Sequence, residues 1–334
     1  MSNKPEDTTT AIQPAAPVTA ITPALAAQQA LAARLPAKYR EDVLFLKRPT
    51  GEELFNVVAA LPTTYQDKMM SLVRKTNPKK QGAHTSQMGF APTTMKIFHG
   101  VGADPTRPKS TTPGDFYTGD SNVKGDTFNA VVLGFYQGRI LWPPQNAGGN
   151  NESKAPICMS ADRETGSKYG SCASCDLSRR PYTQGGCMPE VTFWLLDEDM
   201  TSIYELKFNK SSYGAGESLV KVLSKSENIW DRWVKFSSQE RVEGTKRWFV
   251  QKAEPISDAK NPDKANTPKE LHKLFSELSK ILDADVYYPM IADQHDRLKN
   301  SPDAGNASSG NTAPFDEKAF LADSSDSPDY SKDV

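Results

Sequence analysis

All four cysteines of the chain fall within thirty residues, at Cys158, Cys172, Cys175 and Cys187. Their spacing is C-x13-C-x2-C-x11-C. A C-x2-C pair grips one metal ion through a tight turn, and two more thiolates must arrive from flanking turns to complete a tetrahedron. Gly166, Gly170, Gly185 and Gly186 supply permissive backbone beside the sulfurs. The pattern points to one structural Zn²⁺, with buried free thiols or two disulfides as the alternatives. Four thiolates leave no coordination position for a catalytic water, so such a site folds its segment and does no chemistry. His84, His99, His272 and His295 are scattered, and His84 or His99 is the alternative fourth ligand.

The rest of the composition favours reduced thiols. The chain has 334 residues, 37% hydrophobic, with a mean hydropathy of −0.59, so long stretches are expected to stay outside any core. No run of about 18 apolar residues is present to cross a membrane. The N-terminus reads Met-Ser-Asn-Lys-Pro-Glu-Asp and lacks the apolar heart of a signal peptide. The expectation is a soluble cytoplasmic protein, in the host cytoplasm if a phage encodes it. The net charge of −1 names no partner; only its distribution can.

Residues 1–23, rich in Thr, Ala and Pro, read as a disordered arm, and 24–75 as a helical segment. Thr50-Gly51-Glu52-Glu53 opens a helix with Leu54, Val57, Val58 and Leu61 on one face. Tyr65, Met69, Leu72 and Val73 repeat at helical spacing after Pro62. Residues 76–126 read as a basic, loop-rich segment that includes Lys79 and Lys80. A helical segment at 267–299, opened by Thr267 as N-cap, buries Leu271, Leu274, Phe275, Leu278, Ile281 and Leu282. Residues 300–334 are a polar linker and an acidic tail.

Between them, 127–255 is strand-rich. A long strand over 127–142 carries Gly134 and Gly138, where a bulge or bend fits. The cysteine insert, 155–190, follows. Then come a hairpin around 197–200, a helix over 211–224 with Leu219, Val222 and Leu223 buried, and a second hairpin around 243–245. Five strands with a helix between the third and fourth is the element order of an OB-fold barrel. The expected class is α+β, mainly β: an OB-fold-like five-stranded barrel with a zinc insert, flanking helices and disordered termini.

Aromatic rings and cations interleave on these strands. Alternation groups Trp233 with Lys235, and Arg247 with Phe249, on outward faces. Tyr136 and Arg139 sit at the bend of the first strand, and Trp194 and Lys207 on the next two. Rings beside cations suit a single nucleic-acid strand, whose bases stack and whose phosphates pair. The plain alternative is that the rings are core. No phosphate-loop, dinucleotide or metalloprotease motif occurs, which argues against an enzyme.

The strand Val131-Val132-Leu133-Gly134-Phe135-Tyr136-Gln137-Gly138-Arg139, followed by Gly170-Ser171-Cys172-Ala173-Ser174-Cys175, resembles phage single-stranded DNA-binding proteins. The plan is similar to the T4-type protein: a zinc-bearing insert in an OB-fold, helices before it and an acidic tail. The resemblance covers roughly residues 115–255, and the tail in composition. The T4-type site uses a histidine with three cysteines, whereas all four ligands here would be cysteines. The resemblance implies a non-enzymatic single-stranded DNA-binding protein of phage DNA replication, recombination or repair, whose tail competes for the DNA groove and recruits replication or recombination proteins. The alternatives are a zinc-containing protein-interaction scaffold that binds no nucleic acid, and an accessory subunit of a nuclease or other enzyme.

Overall fold

The computed structural model describes residues 23–76, 91–100, 104–119, 122–143, 156–257 and 265–300. The expected N-terminal arm, Lys79, Lys80, His84 and the acidic tail lie outside these residues. Four helices come first: α1 (Pro23–Arg34), α2 (Ala37–Phe45), α3 (Gly51–Ala59) and α4 (Thr63–Thr76). The Glu53 N–H donates to Thr50 Oγ1 at 3.1 Å, and the Thr50 N–H donates to Glu53 Oε2 at 2.8 Å. This reciprocal capping box fixes where α3 begins.

Three short strands follow: β1 (Thr93–Ile97), β2 (Phe116–Thr118) and β3 (Val123–Gly125). They correct the reading of this segment as loop. Strands of three to five residues leave too little alternation to read. The long strand β4 (Thr127–Leu141) leads into the cysteine insert, built from β5 (Cys158–Ser160), β6 (Thr165–Gly166), β7 (Gly170–Ser171) and the single turn α5 (Asp176–Arg179). After it come β8 (Met188–Asp197), β9 (Ile203–Asn209), α6 (Tyr213–Leu223), β10 (Val234–Glu243) and β11 (Lys246–Pro255). The chain then runs through α7 (His272–Leu282), a π-helical stretch (Asp283–Tyr287) and α8 (Tyr288–Lys299).

One sheet runs in the order β11-β10-β4-β8-β9-β1-β2-β3, with β5 paired to the end of β4. Its pairings are antiparallel except β1 with β9. The register slips between Val132 and Gly134, which makes a β-bulge in β4. A Cβ on Gly134 would stand 2.6 Å from the Trp194 ring, so glycine lets that ring cross the strand. The fold is α+β, mainly β, a curled open half-barrel with flanking helices.

Two cores share this sheet. Inside the curl, Phe116, Phe128, Phe193, Phe208 and Phe236 pack with Leu219 and Leu223 of α6. On the other face, Val131, Leu133, Trp194 and Leu196 meet the helical layer through Leu54, Met69, Leu72, Leu274 and Phe275. On α6 it is Val220 that is buried, while the expected Val222 is exposed. Thr267 does not cap a helix: its hydroxyl donates to the Trp230 carbonyl at 2.5 Å, and Pro268 precedes a 3-10 turn. Asp197, at the end of β8 where the 197–200 hairpin turns, is buried and ion-paired with Lys124.

Candidate nucleic-acid interface and cysteine site

Several residues singled out for base stacking belong to the core. Trp194 is 1% exposed and Tyr136 8%. Their ring centroids lie 5.8 Å apart, and Tyr136 also faces Tyr287 of the helical layer at 6.1 Å. Burial pushes the Tyr136 hydroxyl up to about 12. Trp233 is half-buried against the same helical core, and Phe249 against the inner one. Trp194 and Tyr136 therefore offer no free face for stacking, while Trp233 and Phe249 keep part of their rings exposed.

The cations divide. Lys207 ion-pairs with Glu205 at 3.1 Å and Glu190 at 3.7 Å, so its charge is spent within the sheet. Burial works against that charge, but Tyr136 and the two carboxylates hold its proton above the ordinary lysine range. Lys235 is exposed. Arg247 is exposed and lies 3.4 Å from Glu240. The two expected outward pairs, Trp233 with Lys235 and Arg247 with Phe249, lie on opposite faces of the hairpin. The two-residue loop Gly244-Thr245 sets Lys235 opposite Glu254 and Phe249 opposite Glu240. Alternation then puts Arg247 and Phe249 on the Phe236 face, and Lys235 and Trp248 on the other. Beyond Ser237 the hairpin leaves β4 and projects, with Arg241, Val242, Lys246 and Arg247 exposed.

The cysteines do come together. A Cβ on Gly166 would stand 2.8 Å from Cys158 Sγ and 3.9 Å from Cys172 Sγ. Cys158 packs with Leu141 and Leu177, against which Cys175 and Cys187 also lie. Burial, then repulsion from the other three sulfurs, pushes the Cys187 thiol up to about 12. All four are free thiols. Among the described residues, no three His, Cys, Asp or Glu side chains already form a metal cage. Gly166 makes room for two of the four thiols, Cys158 and Cys172, and thiolate is a donor type that suits zinc. His99 is turned to another task, accepting the Phe249 N–H at 3.1 Å.

The insert is bolted to the helices. The Ala161 N–H donates to Gln294 Oε1 at 2.7 Å, and Gln294 Nε2 donates to the Thr165 carbonyl. Asp162 accepts from the backbone N–H groups of Glu164 and Thr165, each at 3.0 Å. Between insert and sheet lies a cavity of about 750 Å³, lined by Arg139, Arg163, Glu164, Ser171, Cys172 and Arg179 among others. Arg139 was legible as a strand-end cation. Arg163 and Arg179 were missed, and the signal that could have found them was the share of arginine inside the cysteine insert.

No protein-family model, curated protein or solved structure matches this chain. Among the described residues, no helix is long and apolar enough to cross a membrane.

Proposed function

We propose that this chain is a non-enzymatic protein that binds single-stranded nucleic acid, DNA first of all, through an OB-type barrel with one structural Zn²⁺ in its cysteine insert. The observation that carries the reading is how β4 is shared. It is bulged, pairs with β8 on one side and β10 on the other, and α6 lies in the crossover from β9 to β10. That connection supports an OB-type reading of the open sheet, and in OB barrels the first and last strand connections extend the oligonucleotide-binding face. Here the first connection is the arginine-bearing insert, and the last is the projecting hairpin with Arg241, Lys246 and Arg247.

Zinc, held by Cys158, Cys172, Cys175 and Cys187, would supply folding energy to an insert too small to bury a core of its own. Phage replication or recombination is the setting that the resemblance supports, with the acidic tail as the recruiting segment. The test is filter binding of oligo-dT to the full chain at two salt concentrations. Retention at about 0.05 M salt that weakens steeply by about 0.2 M is expected, because phosphate contacts release counterions. No retention at the lower salt overturns the reading and leaves a protein-interaction scaffold.

A further inference from the structure

We propose that the cleft at the root of the cysteine insert is a phosphodiester site, where three guanidinium groups grip the backbone of a nucleic-acid strand. The proposal rests on the single-strand reading and gives it a named subsite.

Arg139 enters the cleft from the end of β4, Arg163 from the turn between β5 and β6, and Arg179 from α5. Each is anchored by one acceptor. Arg139 donates to the Ser178 carbonyl, Arg163 to the Tyr213 hydroxyl at 2.5 Å, and Arg179 to the Ala173 carbonyl at 2.6 Å. A guanidinium carries five N–H donors, so anchoring by one fixes its direction and leaves others for a ligand. The Nε atoms of Arg139 and Arg163 are both buried with no acceptor among the described residues. Sealed from solvent, those two Nε–H groups are out of a ligand's reach, so contact with an anion would come from the Nη groups of the forks.

The backbone at Arg163 adds to this. Its φ is +61°, in the left-handed region that few residues other than glycine adopt. Asp162 holds that turn by taking the next two backbone N–H groups. Strain of this kind is kept where the fold needs a side chain in one place.

Charge and chemistry narrow the ligand. Glu164 is the only carboxylate of the lining, and Lys38 engages it. The arginine fork matches phosphate oxygens in pairs, as a lysine point charge does not. The remaining lining is Thr165, Ser171, Cys172, Ala173 and Ser178, without an aromatic ring. Such a site holds a backbone and leaves base identity unread.

The experiment compares full-length wild type with Arg163→Gln, Arg163→Lys and Arg179→Gln, each checked by circular dichroism and melting temperature. Arg179 is exposed, which keeps one variant safe for folding. At about 0.1 M salt, each Gln variant should bind oligo-dT roughly 3- to 10-fold more weakly, with a salt slope shallower by about one. Arg163→Lys should keep the slope and lose affinity, because charge stays and the fork goes. Folded Arg163→Gln and Arg179→Gln proteins with wild-type affinity and slope would overturn the cleft. If wild type itself retains no oligo-dT, the single-strand reading falls. Pyrophosphate titration followed by arginine Nε–H NMR signals then decides the cleft separately. Shifts confined to Arg139, Arg163 and Arg179 would uphold a phosphate site, and their absence would overturn it.

Discussion

The Tyr39 hydroxyl of α2 donates to Asp162 at 3.1 Å, across 123 positions of sequence, and so ties the helical layer to the cysteine insert. The Asp162 side chain is 3% exposed and also meets Lys38 at 3.2 Å. Burial works against its charge, yet the Thr165 and Glu164 N–H groups and Lys38 hold its carboxyl below the usual carboxylate range. A depressed carboxyl contributes stability that is present above its unfolded value of about 3.9 and lost as pH falls through the folded one. Asp162→Ala should cost about 2–4 kcal/mol, by leaving two turn N–H groups and the Tyr39 hydroxyl without their acceptor, while Lys38 keeps Glu164. Tyr39→Phe should cost about 1 kcal/mol. Denaturant melts measure both, and limited proteolysis should open the Asp162→Ala insert first. An unchanged midpoint and cleavage pattern would contradict the clamp.

Gly134 is needed for the crossing of Trp194 over β4. Gly134→Ala should destabilise by about 1–3 kcal/mol, because its Cβ would meet the indole. Trp194→Ala should cost about 3–5 kcal/mol through loss of a buried ring. The milder Trp194→Phe should lower the melting temperature and leave oligo-dT affinity of the folded protein unchanged. A selective loss of affinity would mean that the ring reaches the ligand.

These residues mark where sequence patterns stop being informative. The apolar face of α7 and of the 3-10 turn before it was legible because Leu271, Leu274, Phe275, Leu278, Ile281 and Leu282 repeat at helical spacing, and all six are buried. The capping box at Thr50 is equally local. By contrast, β8 is buried on both faces, so alternation could not say which side of Phe193-Trp194-Leu195 met solvent. The helical layer that covers Trp194 is contributed by residues far along the chain. Strand β1 pairs in parallel with β9, more than 100 positions away, and nothing in Thr93–Ile97 announces that. The phases of β10 and β11 were each read alone, whereas one two-residue turn couples them. The arginine cleft needs the insert folded back on β4 before Arg139, Arg163 and Arg179 become neighbours.

Metal content follows from the gathered thiols. Purified protein should hold about one Zn²⁺ per chain by elemental analysis. Cys172→Ser or Cys175→Ser should lose it and loosen residues 156–187, and chelator should lower the wild-type melting temperature. Protein prepared without chelator that holds no metal and titrates as four free thiols would refute the zinc assignment.

Asp283 gives the opposite pH dependence to Asp162. It ends α7 where the π-helical stretch begins, and burial lifts its carboxyl from 3.8 to about 6. Among the described residues, burial alone shifts it, with no cation offsetting that burial, and neighbouring Tyr288 has its own hydroxyl pushed up to about 12 by burial and stays neutral. The folded state therefore holds the Asp283 proton more tightly than the unfolded chain does. Its contribution is fully present below about pH 4, is lost as pH rises through about 6, and stays lost above that. At about 1.4 kcal/mol per pH unit between the two values, the ionised form costs up to about 3 kcal/mol at neutral pH. Asp283→Asn keeps the shape and removes the charge. It should raise the melting temperature at pH 7.5 and change it little at pH near 4. The variant's stability should also lack the decline between those values that wild type shows. Equal differences at both pH values would mean that Asp283 finds solvent or a cation when ionised, and that the π-helical stretch opens to let it.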